Sequence, residues 1–416
     1  MSLFTRVPAL APFQIRSFRF QWPADLLASW AFEMEGVILG WFVLVSTGSP
    51  LALALFGSLQ FLGTLVSPFF GMAGDRLGNR ALLCAMRATY LVVAATLAVL
   101  FLSGYATPVP VLMLSAVMGL VRPSDVTLRN LLVGETMPAD FLMRATAVSR
   151  TTADSARIVG ALSGAGLVGL LGSGAAYVCV CLFYAASLAL TFGVGTRRLR
   201  VVGDPVIHEA PLKALREGFA YVWATADRRA VMLLAFLVNF AAYPLVGSLL
   251  AYVARNVYGL DQSGLGWLLA CFSGGALAGS IAVSTHGAAI RPARTMLACA
   301  CGWFVLDMVF AWVTTPAWGA ALLFVAGFVQ SFCMVPMAVL LLRGTEPAFR
   351  GRVMGVRMLA VYGLPLGLLL AGPLVERLGF ALTAFLLSSV GLVATALIGW
   401  VWRDVLWRSD ATANAR

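Results

Sequence analysis

Glu33 and Glu35 stand two residues apart in the middle of a long apolar run, and Arg122, Asp125, Asp154 and Arg157 stand inside others. Such groups do acid/base and ion-pair chemistry: a carboxylate carries a proton, and a neighbouring arginine changes how readily it does so. Placing Asp, Lys or Arg at the centre of a membrane helix costs about 2.5–3.5 kcal/mol on the insertion scale, so these side chains face a cavity or a partner. On a helix of 3.6 residues per turn Glu33 and Glu35 point about 200° apart and cannot both line one cavity. The expectation is that one of them carries a proton against Arg122 while the other packs against a neighbour. A static ion-pair cluster that orients helices is the competing account. Asp125 with Arg129 and Asp154 with Arg157 have the i,i+4 and i,i+3 spacing of local pairs. Trp30, Asn239, Tyr243, Asp307 and Gln330 are candidates for the wall of an organic-substrate cavity, with lipid-facing placement as the alternative for the aromatic ones.

A second set is the polar decamer Gly71-Met-Ala-Gly-Asp75-Arg76-Leu-Gly78-Asn-Arg80 between two apolar runs. By itself it reads equally well as a charged turn holding two helices at a membrane surface.

The elements that position these residues follow from composition. The chain has 416 residues, 61% of them hydrophobic and 11% charged, with mean hydropathy +0.91; a soluble domain carries about 25% charged residues. Each helical crossing takes about 20 apolar residues, and lipid requires every backbone N–H and C=O to be paired internally. The apolar runs place twelve spans near 23–47, 50–73, 80–104, 109–133, 146–171, 174–196, 229–254, 263–284, 293–313, 316–342, 354–375 and 380–402. The expected fold is an all-α membrane protein of two six-helix bundles, 1–198 and 229–416, joined by a linker, 199–228. Within that linker Pro211 opens an amphipathic helix, with Leu212, Leu215, Phe219, Val222 and Trp223 on one side and Lys213, Arg216 and Glu217 on the other. It reads as lying on the inner membrane surface, packed on the bundle ends, or both.

The formal charge of +11 does not indicate nucleic acid, because 23 of the 29 Lys and Arg, with Arg87 counted among them, fall at alternate connections. The positive-inside rule then puts both termini in the cytoplasm. The N-terminal segment has no small-residue cleavage site before the first span, so no removable signal peptide is expected. All seven cysteines lie in apolar spans, where packing is the expected role and metal binding is not. There is no Gly-x-x-x-x-Gly-Lys-Ser/Thr nucleotide loop, and only His208 and His286 are present. An enzyme is not expected, nor a metal or cofactor.

The halves echo one another. Thr136-Met-Pro138-Ala-Asp-Phe141 precedes span 5 as Thr345-Glu-Pro347-Ala-Phe349 precedes span 11. Gly160-Ala-Leu-Ser-Gly164-Ala-Gly166 and Gly363-Leu-Pro365-Leu-Gly367 follow them. Parallel repeats of this kind place a transporter's site at the interface of the halves.

The decamer resembles the loop signature that the major facilitator superfamily carries after its second span. Gly40-Trp41 through Thr47-Gly48-Ser49-Pro50, Asn239 to Pro244, Gly266-Trp267 through Gly279, and Arg350-Gly351-Arg352-Val353-Met-Gly355 resemble the subfamily that includes enterobactin exporters and multidrug efflux proteins. The resemblance implies a secondary transporter working by alternating access in the bacterial inner membrane, a monomer exporting a small organic compound in exchange for protons. It also implies a gating latch of Asp75, Arg76 and Arg80, with Glu135 as the acid on span 4. Asn79 stands where the signature often has a basic residue. Gly160-Ala161 replaces the Gly-Pro of the fifth-span antiporter pattern. An importer or facilitator is the alternative within transport, and a non-transporting sensor or scaffold is the alternative outside it.

Overall fold

The computed structural model describes residues 8–64, 66, 70, 73, 74, 77–195, 211–286, 291–343, 345, 346 and 349–407. Asp75, Arg76, His208 and the first part of the linker lie outside the described residues. Among those described there is helix and no strand. In chain order the helices are α1 (Arg16–Thr47), α2 (Pro50–Leu59), α3 (Asn79–Leu102), α4 (Pro108–Thr136), α5 (139–171) and α6 (173–191). Then come α7 (Pro211–Trp223), α8 (Ala226–Ala241), α9 (Gln262–His286), α10 (Pro292–Trp312), α11 (Pro316–Arg343), α12 (Arg350–Ala360), α13 (Gly363–Leu378) and α14 (Phe380–Val401).

Among the described residues ten helices are long and apolar enough to cross a membrane. One of them, Arg144–Thr191, has 48 residues. At 1.5 Å rise per residue that is about 72 Å, more than twice the roughly 30 Å of a hydrocarbon core. It reverses at Gly172, whose φ of 81° and ψ of 166° no residue with a Cβ adopts easily, so α5 and α6 are separate crossings. With α2, which opens the second span, these make the expected twelve. Among the described residues the second span is interrupted by a turn at 60–62 after α2, and two spans of the second unit are discontinuous as well. α8 ends at Ala241 and continues to Val257 through short turns around Pro244 and Gly247, and α12 gives way to α13 at Val361–Tyr362.

By backbone contacts the chain forms two compact units. The first comprises residues 1–42 and 59–209, the second 43–58 and 210–416. The end of α1 with α2 groups with the second unit, as does α7.

In the first unit α3 and α4 share a core of Leu82, Leu83, Met86, Leu128 and Leu132 with Val194. α5 lies against α1 at Gly160 and Gly164, where a Cβ on Gly164 would sit 2.8 Å from Met34 Cα. In the second unit the backbones of α9 and α11 approach at Gly275 and Gly279, which face Phe324 and Phe328. α13 lies against α8 at Gly363 and Gly367, beside Phe236 and Phe240. Within this unit Ser58 Oγ donates to the Pro365 carbonyl at 3.1 Å, and Arg255 Nη1 donates to the Leu44 carbonyl at 2.9 Å. Ser49 Oγ bonds the Glu376 carboxylate.

α7 packs on the second unit. Tyr221 stacks on Phe349 at 4.4 Å, its hydroxyl accepts from the Glu346 N–H at 3.1 Å, and Glu217 pairs with Arg352 at 3.4 Å. Phe219 and Trp223 stack on each other on the helix's exposed side.

Candidate functional site

The intramembrane charges of the first unit sort into four groups. α1 supplies the acids and its pitch separates them. Glu33 lies with Oε1 3.9 Å from Arg122 Nη2 of α4 and 4.0 Å from Arg157 Nε of α5. The three side chains are 30%, 28% and 49% exposed. Arg122 also donates to Gln60 Oε1 just beyond α2, and its guanidinium lies 4.1 Å over the Phe32 ring. Two guanidiniums and a carboxylate facing hydrocarbon would be costly, so this partly exposed cluster marks a water-accessible face. Gly160 fits this arrangement: without a Cβ it lets α5 approach the α1 backbone at Trp30 and Glu33.

Glu35 points elsewhere and is buried. Its carboxylate accepts hydrogen bonds from Tyr177 at 3.1 Å and Tyr184 at 3.0 Å, both on α6. Phe32, Tyr90 and Tyr184 close the surrounding aromatic shell. Of the two expected partners of Arg122, Glu33 is therefore the one in direct ion-pair reach.

A third group is a buried four-membered charge network. Arg87 of α3 pairs with Asp25, and Arg129 pairs with Asp125 on α4. Arg129 Nε lies 3.7 Å from Asp25, and Arg87 Nε 4.0 Å from Asp125. Arg129 also donates to Ser29 Oγ at 2.7 Å, and Arg87 bonds Thr191. The local pairing expected of Asp125 and Arg129 is present. Arg87, counted in the sequence among the arginines of a connection, is instead fully buried inside α3. A signal existed: Leu83, Arg87, Tyr90 and Ala94 share one helical face, and all four are buried. Asp154 meets Arg150 at 3.6 Å, while Arg157 turns toward Glu33; the expected i,i+3 pair is replaced by an i,i+4 pair and a contact to α1.

The other candidates are dispersed. Trp30 donates to Ser163 at 2.7 Å, tying α1 to α5. In the second unit Asn239 donates to the Ala235 carbonyl of its own helix at 2.8 Å. Gln330 bonds the Tyr243 hydroxyl, and Tyr243 packs edge-on against Trp303 at 5.0 Å. Asp307 is buried on α10 rather than lining an open wall.

Of the latch residues, Asp75 and Arg76 lie outside the described residues. Glu135 Oε1 accepts from Asn79 Nδ2 at 2.7 Å. No ion pair within 4 Å joins Arg80 to Glu135 among the described residues, although both line one cavity. The amide at position 79, noted as a departure from the signature, makes the contact expected of an arginine.

The family model described as "Transmembrane secretion effector" matches residues 7–415. The multidrug efflux pump Tap of Mycolicibacterium fortuitum is 29% identical over 215 residues, spanning 49% of this chain and 51% of Tap; the chain thus matches about half the length of that relative. Among solved structures, the nucleoside transporter NupG superimposes with a TM-score of 0.70 at 13% identity, over 92% of this chain and 98% of NupG. The human organic anion transporter MFSD10 gives 0.61 at 19% identity, over 92% and 99%. At these identities the likeness is one of fold.

Proposed function

We propose, on the premise that this chain belongs to the transmembrane secretion effector family of the major facilitator superfamily, that it exports a small organic molecule in exchange for protons. The substrate class is that of siderophores, drugs or metabolites. The similarity to a pump named for multidrug efflux supports the outward direction. The observation that carries the reading is the Glu33 carboxylate, partly exposed and shared between Arg122 on α4 and Arg157 on α5. Protonating Glu33 cancels its charge and with it the attraction that draws α4 and α5 to α1, so proton binding and helix spacing are linked. Glu35 and the buried Asp25–Arg87–Asp125–Arg129 network hold α1 against α3, α4 and α6 while Glu33 works. Asp75, Arg76 and Arg80, with Glu135, form the gating latch. The alternating basic residues support an inner-membrane location with cytoplasmic termini, and the protein acts as a monomer with the proton gradient as its energy source.

Flux of a compound panel in inverted and right-side-out vesicles, with and without a pH gradient, tests the proposal. Uptake into inverted vesicles should require the gradient and fall at least about tenfold in Glu33→Gln, a loss of roughly 1.4 kcal/mol in coupling. Gradient-independent flux, unchanged in Glu33→Gln, sinks proton exchange. Transport in the opposite sense sinks export.

A further inference from the structure

α7 has two unlike sides. At 3.6 residues per turn, Glu217, Gly218, Tyr221 and Val222 share one of them, and that side is occupied. A Cβ on Gly218 would sit 2.8 Å from the Arg352 carbonyl oxygen. Arg228 of α8 lies 3.9 Å over the Tyr221 ring and donates to the Tyr221 carbonyl at 3.1 Å. Tyr221 stacks on Phe349, and the Arg352 guanidinium lies 5.0 Å from the centre of the Phe349 ring. α7 is thus fastened to the starts of α8 and α12, the first segments of the two spans that break further along. The other side is exposed: Lys213, Arg216, Phe219, Ala220 and Trp223 fall within about 120° of one another, and all five are exposed. The Phe219 and Trp223 rings stack at 4.2 Å and remain 46% and 39% exposed. Glu217, the acid of α7, is shared between Lys213 at 3.8 Å and Arg352 at 3.4 Å. With Arg216, three cations therefore meet one anion, and the excess is positive.

Position says what covers this side. The span Ala226–Val257 begins three residues after Trp223, and three residues reach at most about 11 Å. The Phe219–Trp223 pair therefore stands close to where that span enters the bilayer, the level at which aromatic rings are favoured. A basic and aromatic helix side at that level fits a negatively charged lipid surface. We infer that the exposed side of α7 is a binding surface for anionic phospholipid. Lys213 and Arg216 take the headgroup phosphates, and the Phe219–Trp223 pair enters the boundary with the acyl chains. Lipid held there bears, through Tyr221 and Arg352, on the starts of both broken spans. The inference is independent of transport direction and of the Glu33 cluster.

Hydrogen exchange of the α7 backbone amides, read by peptide mass spectrometry on the full-length protein at one copy per nanodisc, tests this. Each Lys or Arg near an anionic surface strengthens binding about fivefold, and binding to the folded helix slows its exchange in proportion. Exchange of α7 should thus be at least about fivefold slower in phosphatidylcholine discs containing phosphatidylglycerol than in phosphatidylcholine alone, while α3 and α4 exchange equally in both. The difference should shrink at about 1 M salt, where the screening length falls to about 3 Å, and vanish in the Lys213→Gln, Arg216→Gln double variant. Equal exchange of α7 in the two discs overturns the inference, as does equal slowing of α3 and α4 or a difference that survives in the double variant. Slowing that appears only with two copies per disc assigns the surface to a second copy of the chain and also overturns it. The comparison of the two discs on the unaltered chain needs no variant to fold.

Discussion

Arg87 is the side chain whose role changes most between sequence and structure. It lies beside Asp25 and Asp125 with no exposed surface. Removing one partner of a buried charge network strands the others, at about 3–5 kcal/mol. Arg87→Met should therefore sharply lower the thermal midpoint and yield of the purified protein. Arg87→Met combined with Asp25→Leu, which keeps the Arg129–Asp125 pair balanced, should recover part of the loss. Asp154→Asn breaks a pair whose arginine is 81% exposed, and exposed pairs contribute about 0–1 kcal/mol, so its midpoint should hardly move. If the two single variants behaved alike, the buried network would not be the structural element argued for. The same residues show what a sequence can reveal. Helical pitch alone separates Glu33 from Glu35 and excludes a shared cavity. It does not say which one meets Arg122, because the rotation of α1 about its axis is set by packing on α5. Nor does it reveal Tyr177 and Tyr184, whose hydroxyls reach Glu35 from residues more than 140 positions away.

At the level of elements, the spans were legible because hydropathy reports lipid contact directly, whereas their interruptions were not. Tyr243-Pro244 and Gly247 break span 7, yet Pro and Gly are common in membrane helices, where neighbours satisfy the freed backbone groups. The glycines that set helix contacts need the same care. Gly164 and Gly166 are two residues apart on α5, and only the first touches another backbone. A Cβ on Gly164 meets Met34 Cα at 2.8 Å and its carbonyl at 3.1 Å, while Gly166 has nothing within 4 Å. Replacing helical Gly by Ala gains about 1 kcal/mol in propensity, but overpacking a contact costs about 1–3 kcal/mol. Gly166→Ala should thus raise or preserve the thermal midpoint, and Gly164→Ala should lower it. Because α1 carries Glu33, Gly164→Ala should also impair transport in vesicles. Equal effects of the two substitutions would mean that α5 does not rest on α1 at this point.

Across the whole molecule the two halves repeat one another in backbone detail that the sequence echo only hinted at. The turn after α1 and the turn before α9 each use a glycine, Gly48 with φ 66° and Gly259 with φ 64°. The reversals between α5 and α6 and between α13 and α14 use Gly172 and Gly379, at φ 81°, ψ 166° and φ 79°, ψ 166°. The contacts repeat too, Gly160 and Gly164 of α5 against α1 and Gly363 and Gly367 of α13 against α8. Segments such as Thr136–Phe141 and Thr345–Phe349 made the repeat visible, but little else in the side chains has been kept in common. The charge network and the Glu33 cluster fall in the first unit, while Asp307 is the acid buried in α10. Backbone geometry is shared, whereas among the described residues the charge network and the Glu33 cluster have no matching arrangement in the second unit, whose spans carry Asp307 and Arg357. This makes a prediction for the molecule as a unit. The conformation of Gly172 and Gly379 is essentially restricted to glycine, and forcing another residue into it costs about 1–3 kcal/mol. Gly172→Ala and Gly379→Ala should then lower stability by similar amounts. Because the sites lie in separate compact units with no shared partner, the double variant should lose the sum within roughly 0.3–0.5 kcal/mol. Thermal denaturation in a single detergent checks this. A much larger cost at one site, or a double variant no worse than either single one, would mean that the two reversals are not equivalent parts of a repeat.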